Sequence, residues 1–212
     1  MTHSESAAPT PSEATNVHKA TPAVGAIILA RHGEPALSRK CMITSDQYRD
    51  WWGRYEVGGL RAGQTPPQTL LAAAEGAGAI YASTRPRAQE TARAVARDRE
   101  VLVDALFIEA PLPPPRFPAW LKLSPRYWGV VSRIWWHAFN HHEGQETRRE
   151  AEVRADQAAR ILIARAGEGR DVLVLAHGYF NHMVGQKLKL HGWRLAENQG
   201  FKYWSQRRYE KR

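Results

Sequence analysis

Two stretches of the chain are apolar at nearly every position instead of at alternate ones. Residues 26–30 read Ala-Ile-Ile-Leu-Ala, and residues 171–176 read Asp-Val-Leu-Val-Leu-Ala after the turn Gly167-Glu168-Gly169. Continuous runs of this kind predict strands covered on both faces of a sheet. Residues 79–82 predict a further strand, and either 101–103 or the nearby 106–108 predicts another. Residues 201–204 alternate less cleanly and are expected as a final edge strand.

Between these runs the pattern turns helical. Thr44 or Ser45 is placed to cap a helix through Trp52, and Thr65 with Pro66 and Pro67 opens another. Residues 86–99 are rich in Ala, Arg, Gln and Glu, and residues 147–166 form a long amphipathic stretch with Val153, Ile161 and Leu162 expected on its apolar side. Strands alternating with helices predict an α/β sandwich with a largely parallel sheet. Residues 111–118 break the pattern, because their prolines lack the donor that helix and central strand both need. They lead into an aromatic stretch holding Tyr127, Trp128, Trp135 and Trp136, so residues 111–142 read as a Pro/Trp-rich insertion that caps something.

Composition narrows the class. With 212 residues, 43% hydrophobic and 24% charged, one buried core is expected. Residues 1–22 carry Ser, Thr, Pro, Glu and Ala without an apolar centre and are expected as a disordered tail, with one domain over 23–206 and a basic, solvated tail over 207–212. A single cysteine, Cys41, excludes an internal disulfide and fits a reducing compartment, so a cytoplasmic location is expected. The longest apolar run is far short of the roughly 20 residues that cross a bilayer. The net charge of +9 suits nucleic acid, an anionic surface or a small phosphorylated substrate equally, and cannot separate them.

The chemistry gathers behind the strands, where open α/β sheets bind ligands. Arg31, His32, Gly33 and Glu34 follow the first strand, Ser83, Arg85 and Arg87 the second, Glu109 the third, and His177 with Gly178 the fourth. Guanidinium forks match phosphate oxygens, and imidazole can attack phosphorus or donate a proton. Glu143 and Glu146 are placed to fold over the same pocket as Glu109. His137, His141 and His142 lack a carboxylate-histidine pairing and read as surface or lid residues instead of metal ligands. Trp51, Trp52, Trp135 and Trp136 read as packing, with a substrate lid or dimer contact as the second reading.

Leu29-Ala30-Arg31-His32-Gly33-Glu34 resembles the signature of the histidine phosphatase superfamily, the phosphoglycerate mutase-like proteins of branch 1. Residues 83–92, Ser-Thr-Arg-Pro-Arg-Ala-Gln-Glu-Thr-Ala, resemble its second motif, and Leu175-Ala176-His177-Gly178 its third. Gly144-Gln145-Glu146-Thr147, with Arg154 beyond, is similar to a weaker motif. The resemblance implies a three-layer α/β/α sandwich and a phosphomonoesterase of the metal-independent, histidine acid phosphatase type, needing no cofactor. His32 then accepts the phosphoryl group, which requires a neutral ring held in one tautomer. Arg31, Arg87 and His177 hold the phosphate, with Ser38 and Arg85 as further substrate contacts. Glu109 serves as general acid, since Gly178 occupies the place where the other branch keeps its own.

After Glu34 the threonine and asparagine common in the family are replaced by Pro35, Ala36, Leu37 and Ser38. After Glu109 the chain reads Ala110-Pro111-Leu112-Pro113, so leaving-group recognition is expected to differ from that of glycolytic mutases. The expected partner is a small phosphorylated substrate. A phosphoprotein substrate, a homodimer, a phosphomutase activity and a non-catalytic phospholigand-binding scaffold are the alternatives.

Overall fold

The structure, a computed structural model, describes residues 23–212. The tail expected over 1–22 lies outside the described residues. Six strands form one sheet: β1 (Ile27–Arg31), β2 (Ala77–Ser83), β3 (Leu102–Asp104), β4 (Asp171–Ala176), β5 (Trp193–Asn198) and β6 (Gln206–Lys211). Their order across the sheet is β3-β2-β4-β1-β6-β5, and β6 alone runs against the others. Six α-helices accompany them: α1 (Ser45–Val57), α2 (Gln68–Gly76), α3 (Pro86–Ala96), α4 (Pro125–Phe139), α5 (Arg148–Ala166) and α6 (Gly178–Leu190).

The two apolar runs became the central neighbours β1 and β4, paired in parallel from Ile27 with Val172 to Arg31 with Ala176. Their side chains alternate between two cores. Ile27, Leu29, Val172 and Val174 pack with α5 and α6 on one face, while Ile28, Ala30, Leu173 and Leu175 pack with α2 and α3 on the other. The result is the expected three-layer α/β/α sandwich. A third cluster lies apart from both: Tyr48, Trp51 and Tyr55 of α1 pack on Trp128 of α4, so α1 covers Trp128, while Trp120, Tyr127 and Phe139 of the same stretch stay exposed.

Helix α5 departs from the expectation. Val153 and Ile161 are 54% and 42% exposed, and only Leu162 of the three is buried. The buried stripe is instead alanine, at 151, 155, 158, 159 and 166. Small side chains let this helix lie close to the sheet and α6, a contact that hydropathy ranks below one made by Val or Ile. Its start agrees with a capping box, in which Thr147 accepts from Glu150 N and the Glu150 carboxylate accepts from Thr147 N.

The C-terminal expectations need correction. Residues 201–204 form a turn and no strand. The supposed basic tail is β6, which pairs with β1 and β5. Its charges are absorbed by packing: Arg207 is 6% exposed with its guanidinium 4.6 Å from the Phe201 ring centroid, and Arg208 pairs with Asp171 at 2.7 Å. Among the described residues no helix is long and apolar enough to cross a membrane.

Candidate active site

His32 follows the last residue of β1, and its backbone N–H still donates to Ala176 O of the neighbouring strand at 3.0 Å. The ring is buried, and its Nδ1 lies 2.7 Å from the Gly33 carbonyl. A carbonyl only accepts, so Nδ1 carries the proton and Nε2 keeps a free lone pair. That is the tautomer a nucleophile requires.

The turn that presents His32 is braced from three directions. Gly33 N donates to Thr91 Oγ1 at 3.0 Å, and Thr91 Oγ1 donates to Arg87 O at 2.7 Å, which links the β1 turn to α3. Gln64 clamps Glu34 through both its N–H and its carbonyl, each at 2.8 Å, and its Oε1 also accepts from Trp204 Nε1 at 2.9 Å. The Trp204 indole leaves no room for a side chain at 33, where a Cβ would lie 2.3 Å from its ring. Trp204 itself takes a left-handed backbone conformation, φ +63°, rare for a bulky residue and held here by tertiary contacts. Thr91 belonged to a recognised motif, but the roles of Gln64 and Trp204 carried no signal in the sequence.

His177 ends the segment after β4, with its ring centroid 5.2 Å from that of His32. Arg87 Nη2 donates to its Nδ1 at 3.4 Å, so its Nε2 donates to Ser83 Oγ at 2.9 Å. Arg87 is 0% exposed, under α1: Nη1 donates to Tyr55 O at 2.8 Å, and Nη2 pairs with Glu56 at 2.8 Å. The other oxygen of Glu56 pairs with Arg85 at 2.6 Å. Arg31 stacks 4.3 Å from the Tyr203 ring centroid and donates to Phe201 O.

Residues that the sequence did not single out complete the ring. Arg39 donates to Tyr55 OH at 3.1 Å, and Tyr203 lies 5.7 Å, centroid to centroid, from His32. Glu56 is the carboxylate that holds two arginines together. None of these shares a local motif, because each reaches the site from a separate loop or helix.

The electrostatics are one-sided. Burial first, then Arg87 and Arg31, hold His32 well below its ordinary pKa of 6.5; burial, Arg87 and His32 do the same for His177. Both rings are neutral at neutral pH. The Nε atoms of Arg31, Arg39, Arg85 and Arg87 are all buried without a hydrogen-bond partner among the described residues. Four guanidinium donors left unsatisfied around two neutral imidazoles form a site with the charge and donors for an anion.

Glu109 lies at the start of α6, directly beyond His177. Its Oε1 accepts from Phe180 N at 2.8 Å and Ala110 N at 3.1 Å, and its Oε2 from Tyr179 N at 3.3 Å. The alternatives are occupied elsewhere: Glu143 pairs with Arg49, and Glu146 makes a two-point pair with Arg154. Arg154 also donates to Leu106 O and Ile108 O, so the weaker motif fastens the segment that carries Glu109. Ser38 lines a basic cleft with Arg31, but its hydroxyl accepts from Lys40 N at 3.1 Å. His137, His141 and His142 bond to Tyr179 OH, Pro114 O and Gln145 O respectively.

Solved structures share this fold. A phosphoserine phosphatase from Entamoeba histolytica, a histidine-to-alanine mutant in complex with phosphoserine, aligns with TM-score 0.52 and 17% identity, covering 82% of this chain and 87% of that one. A mycobacterial glucosyl-3-phosphoglycerate phosphatase bound to VO3 aligns with TM-score 0.51 and 20% identity, over 77% and 81%. At such identities the likeness is one of fold. No curated protein matches the chain by sequence. The model of the histidine phosphatase superfamily (branch 1), however, matches residues 67–203, which include Arg87, Glu109 and His177 and leave out the Arg31-His32-Gly33 turn. A match over more than half of the chain shows the family, and the protein belongs to branch 1 of the histidine phosphatase superfamily.

Proposed function

We propose that the protein hydrolyses phosphomonoesters through a phosphohistidine formed on Nε2 of His32. The observation that carries this reading is the Nδ1 hydrogen bond to Gly33 O, which leaves Nε2 bare on a ring that Arg31, Arg39 and Arg87 surround. The phosphate oxygens take up the unsatisfied guanidinium donors of Arg31 and Arg87 and, in exchange for Ser83 Oγ, the Nε2–H of His177, which neutralises the charge that builds on the transferring group. The Nε2 lone pair forms the N–P bond as the P–O bond to the leaving group breaks. Glu109 gives that oxygen a proton, then takes one from the water that releases phosphate and regenerates His32. In this scheme Oε1 stays anchored by the two shorter amide contacts, and Oε2 handles the proton.

The low pKa of His32 keeps the nucleophile unprotonated as the medium turns acidic, so the acid limb of kcat/KM is expected to lie below pH 6.5. The test is to incubate the protein with phenyl phosphate, quench, and search for an acid-labile phosphoryl group on His32. Turnover and labelling in the wild type, with both lost in His32→Ala, are expected. Wild-type protein that binds phosphate yet neither labels nor turns over would overturn the proposal.

A further inference from the structure

A cavity of about 340 Å³ opens beside the histidine pocket, between α1, α4 and Glu109. Tyr48, Trp52, Leu112, Val130 and Ile134 give it flat and apolar walls. Two of its lining residues tie it to the chemistry. Arg39 is close enough to His32 to depress its pKa, and Glu109 caps the helix that begins after His177.

Arg133 of α4 lines the same cavity, and its guanidinium is not satisfied by the protein. It stacks 3.7 Å from the Tyr179 ring centroid and 4.7 Å from that of Trp136. Its hydrogen bond to protein is the one from Nη2 to Ala110 O at 3.2 Å, while Nη1 is buried with no partner among the described residues. No carboxylate among the described residues reaches it within ion-pair distance, in contrast to Arg85, Arg87 and Arg154. Burial lowers its pKa, with Glu109 as the largest opposing influence. A half-buried cation held by two aromatic faces and one hydrogen bond is left without a counter-charge, and a second acidic group on the substrate supplies one where the protein does not.

We propose that this cavity receives the leaving group, and that Arg133 pairs with an acid on it. The substrate class is then the phosphate esters of flat, largely apolar acids. The inference rests on the phosphatase reading and adds to it the identity of the leaving group. It also separates this cavity from the neighbouring basic cleft of about 680 Å³, lined by Arg31, Lys40, Arg61, Lys202, Phe201 and Tyr203, which shares Arg39 and Arg126 with it but is not lined by Tyr48, Trp52 or Arg133.

Three esters decide the matter: 3-carboxyphenyl phosphate, phenyl phosphate and phosphoglycolate. The first is expected to exceed each of the others by at least about tenfold in kcat/KM, as one charge-assisted hydrogen bond allows. In Arg133→Met the ratio of 3-carboxyphenyl to phenyl phosphate falls to about one, and Arg133→Lys restores part of it. A purely structural role, through the bond to Ala110 O, lowers both aryl esters in proportion and leaves the ratio intact. That result overturns the proposal, as does an equal rate for all three esters or a preference for phosphoglycolate. If no ester is hydrolysed, the phosphatase reading fails. The cavity is then judged by calorimetric titration of the same three esters, where equal affinities, or a preference that survives Arg133→Met, refute it.

Discussion

Glu56 is the residue whose loss the structure makes easiest to quantify. Its two oxygens sit 2.8 Å from Arg87 and 2.6 Å from Arg85, and the Arg87 side chain is fully buried. In Glu56→Gln the shape is kept, but the charge is removed and an amide N–H2 is turned toward one of the guanidinium groups. An exposed ion pair would lose at most about 1 kcal/mol. A buried cation stripped of its partner loses about 3–5 kcal/mol, a large share of the stability of a domain of this size. The same change frees two arginines for phosphate, so inorganic phosphate should stabilise the variant more than the wild type. At a phosphate concentration 100 times Kd, binding returns about 2.7 kcal/mol. Urea unfolding of both proteins, with and without phosphate, measures both effects. A loss below about 1 kcal/mol, or equal stabilisation of the two proteins by phosphate, would refute the reasoning that Glu56 holds these arginines in place of a bound anion.

Thr91→Val keeps the volume but removes the acceptor of the buried Gly33 N–H, and is expected to cost about 1–3 kcal/mol. It should also lower kcat toward phenyl phosphate, since the turn carrying His32 loses a brace; unchanged stability and turnover would contradict this. The two buried histidines set a pH dependence with a definite sign. Both stay neutral in the folded protein well below pH 6.5, while the unfolded chain takes up their protons as pH falls through 6.5. Stability present above that pH is therefore lost on acidification, at a rate that rises toward about 1.4 kcal/mol per pH unit for each histidine as the unfolded ring becomes fully protonated. His32→Gln should reduce the stability lost between pH 6.5 and 5.5 by about 1 kcal/mol in urea unfolding, since the unfolded histidine is only part-protonated over that range, and an unaltered pH dependence would count against it. On α5, Ala158→Leu adds volume at a fully buried position and is expected to destabilise by about 1–3 kcal/mol in the same assay, whereas a neutral result would mean the helix is not closely packed there.

Much of the framework was legible because it rests on local rules. Strands β1 and β4 announced themselves by continuous hydrophobicity, since each is buried on both faces. The α5 start was legible at Thr147, because the capping box it forms with Glu150 spans only four residues. The positions of Arg31, His32, Arg87, Glu109 and His177 behind successive strands followed once those strands were placed. What stayed hidden depends on contacts between distant segments. The strand β6 reads as a basic tail because Arg207 and Arg208 look solvated until Phe201 and Asp171 are set beside them. The alanine stripe of α5 carries little hydropathy, so its larger outward-facing residues misled the choice of face.

The same division runs through the candidate site. The sequence by itself determined which chemical groups are available, and that they follow the strands, because an imidazole or a guanidinium is a property of its own residue. Only the tertiary structure decided the tautomer of His32, the carboxylate that Arg87 shares with Arg85, and the partnerless guanidinium of Arg133. Each of these is set by a neighbour's position to within a hydrogen-bond length. The arginine positions come from packing α1 and α4 over the sheet edge, and the His32–Gly33 contact, though between sequence neighbours, depends on the turn that Thr91, Gln64 and Trp204 hold from distant segments.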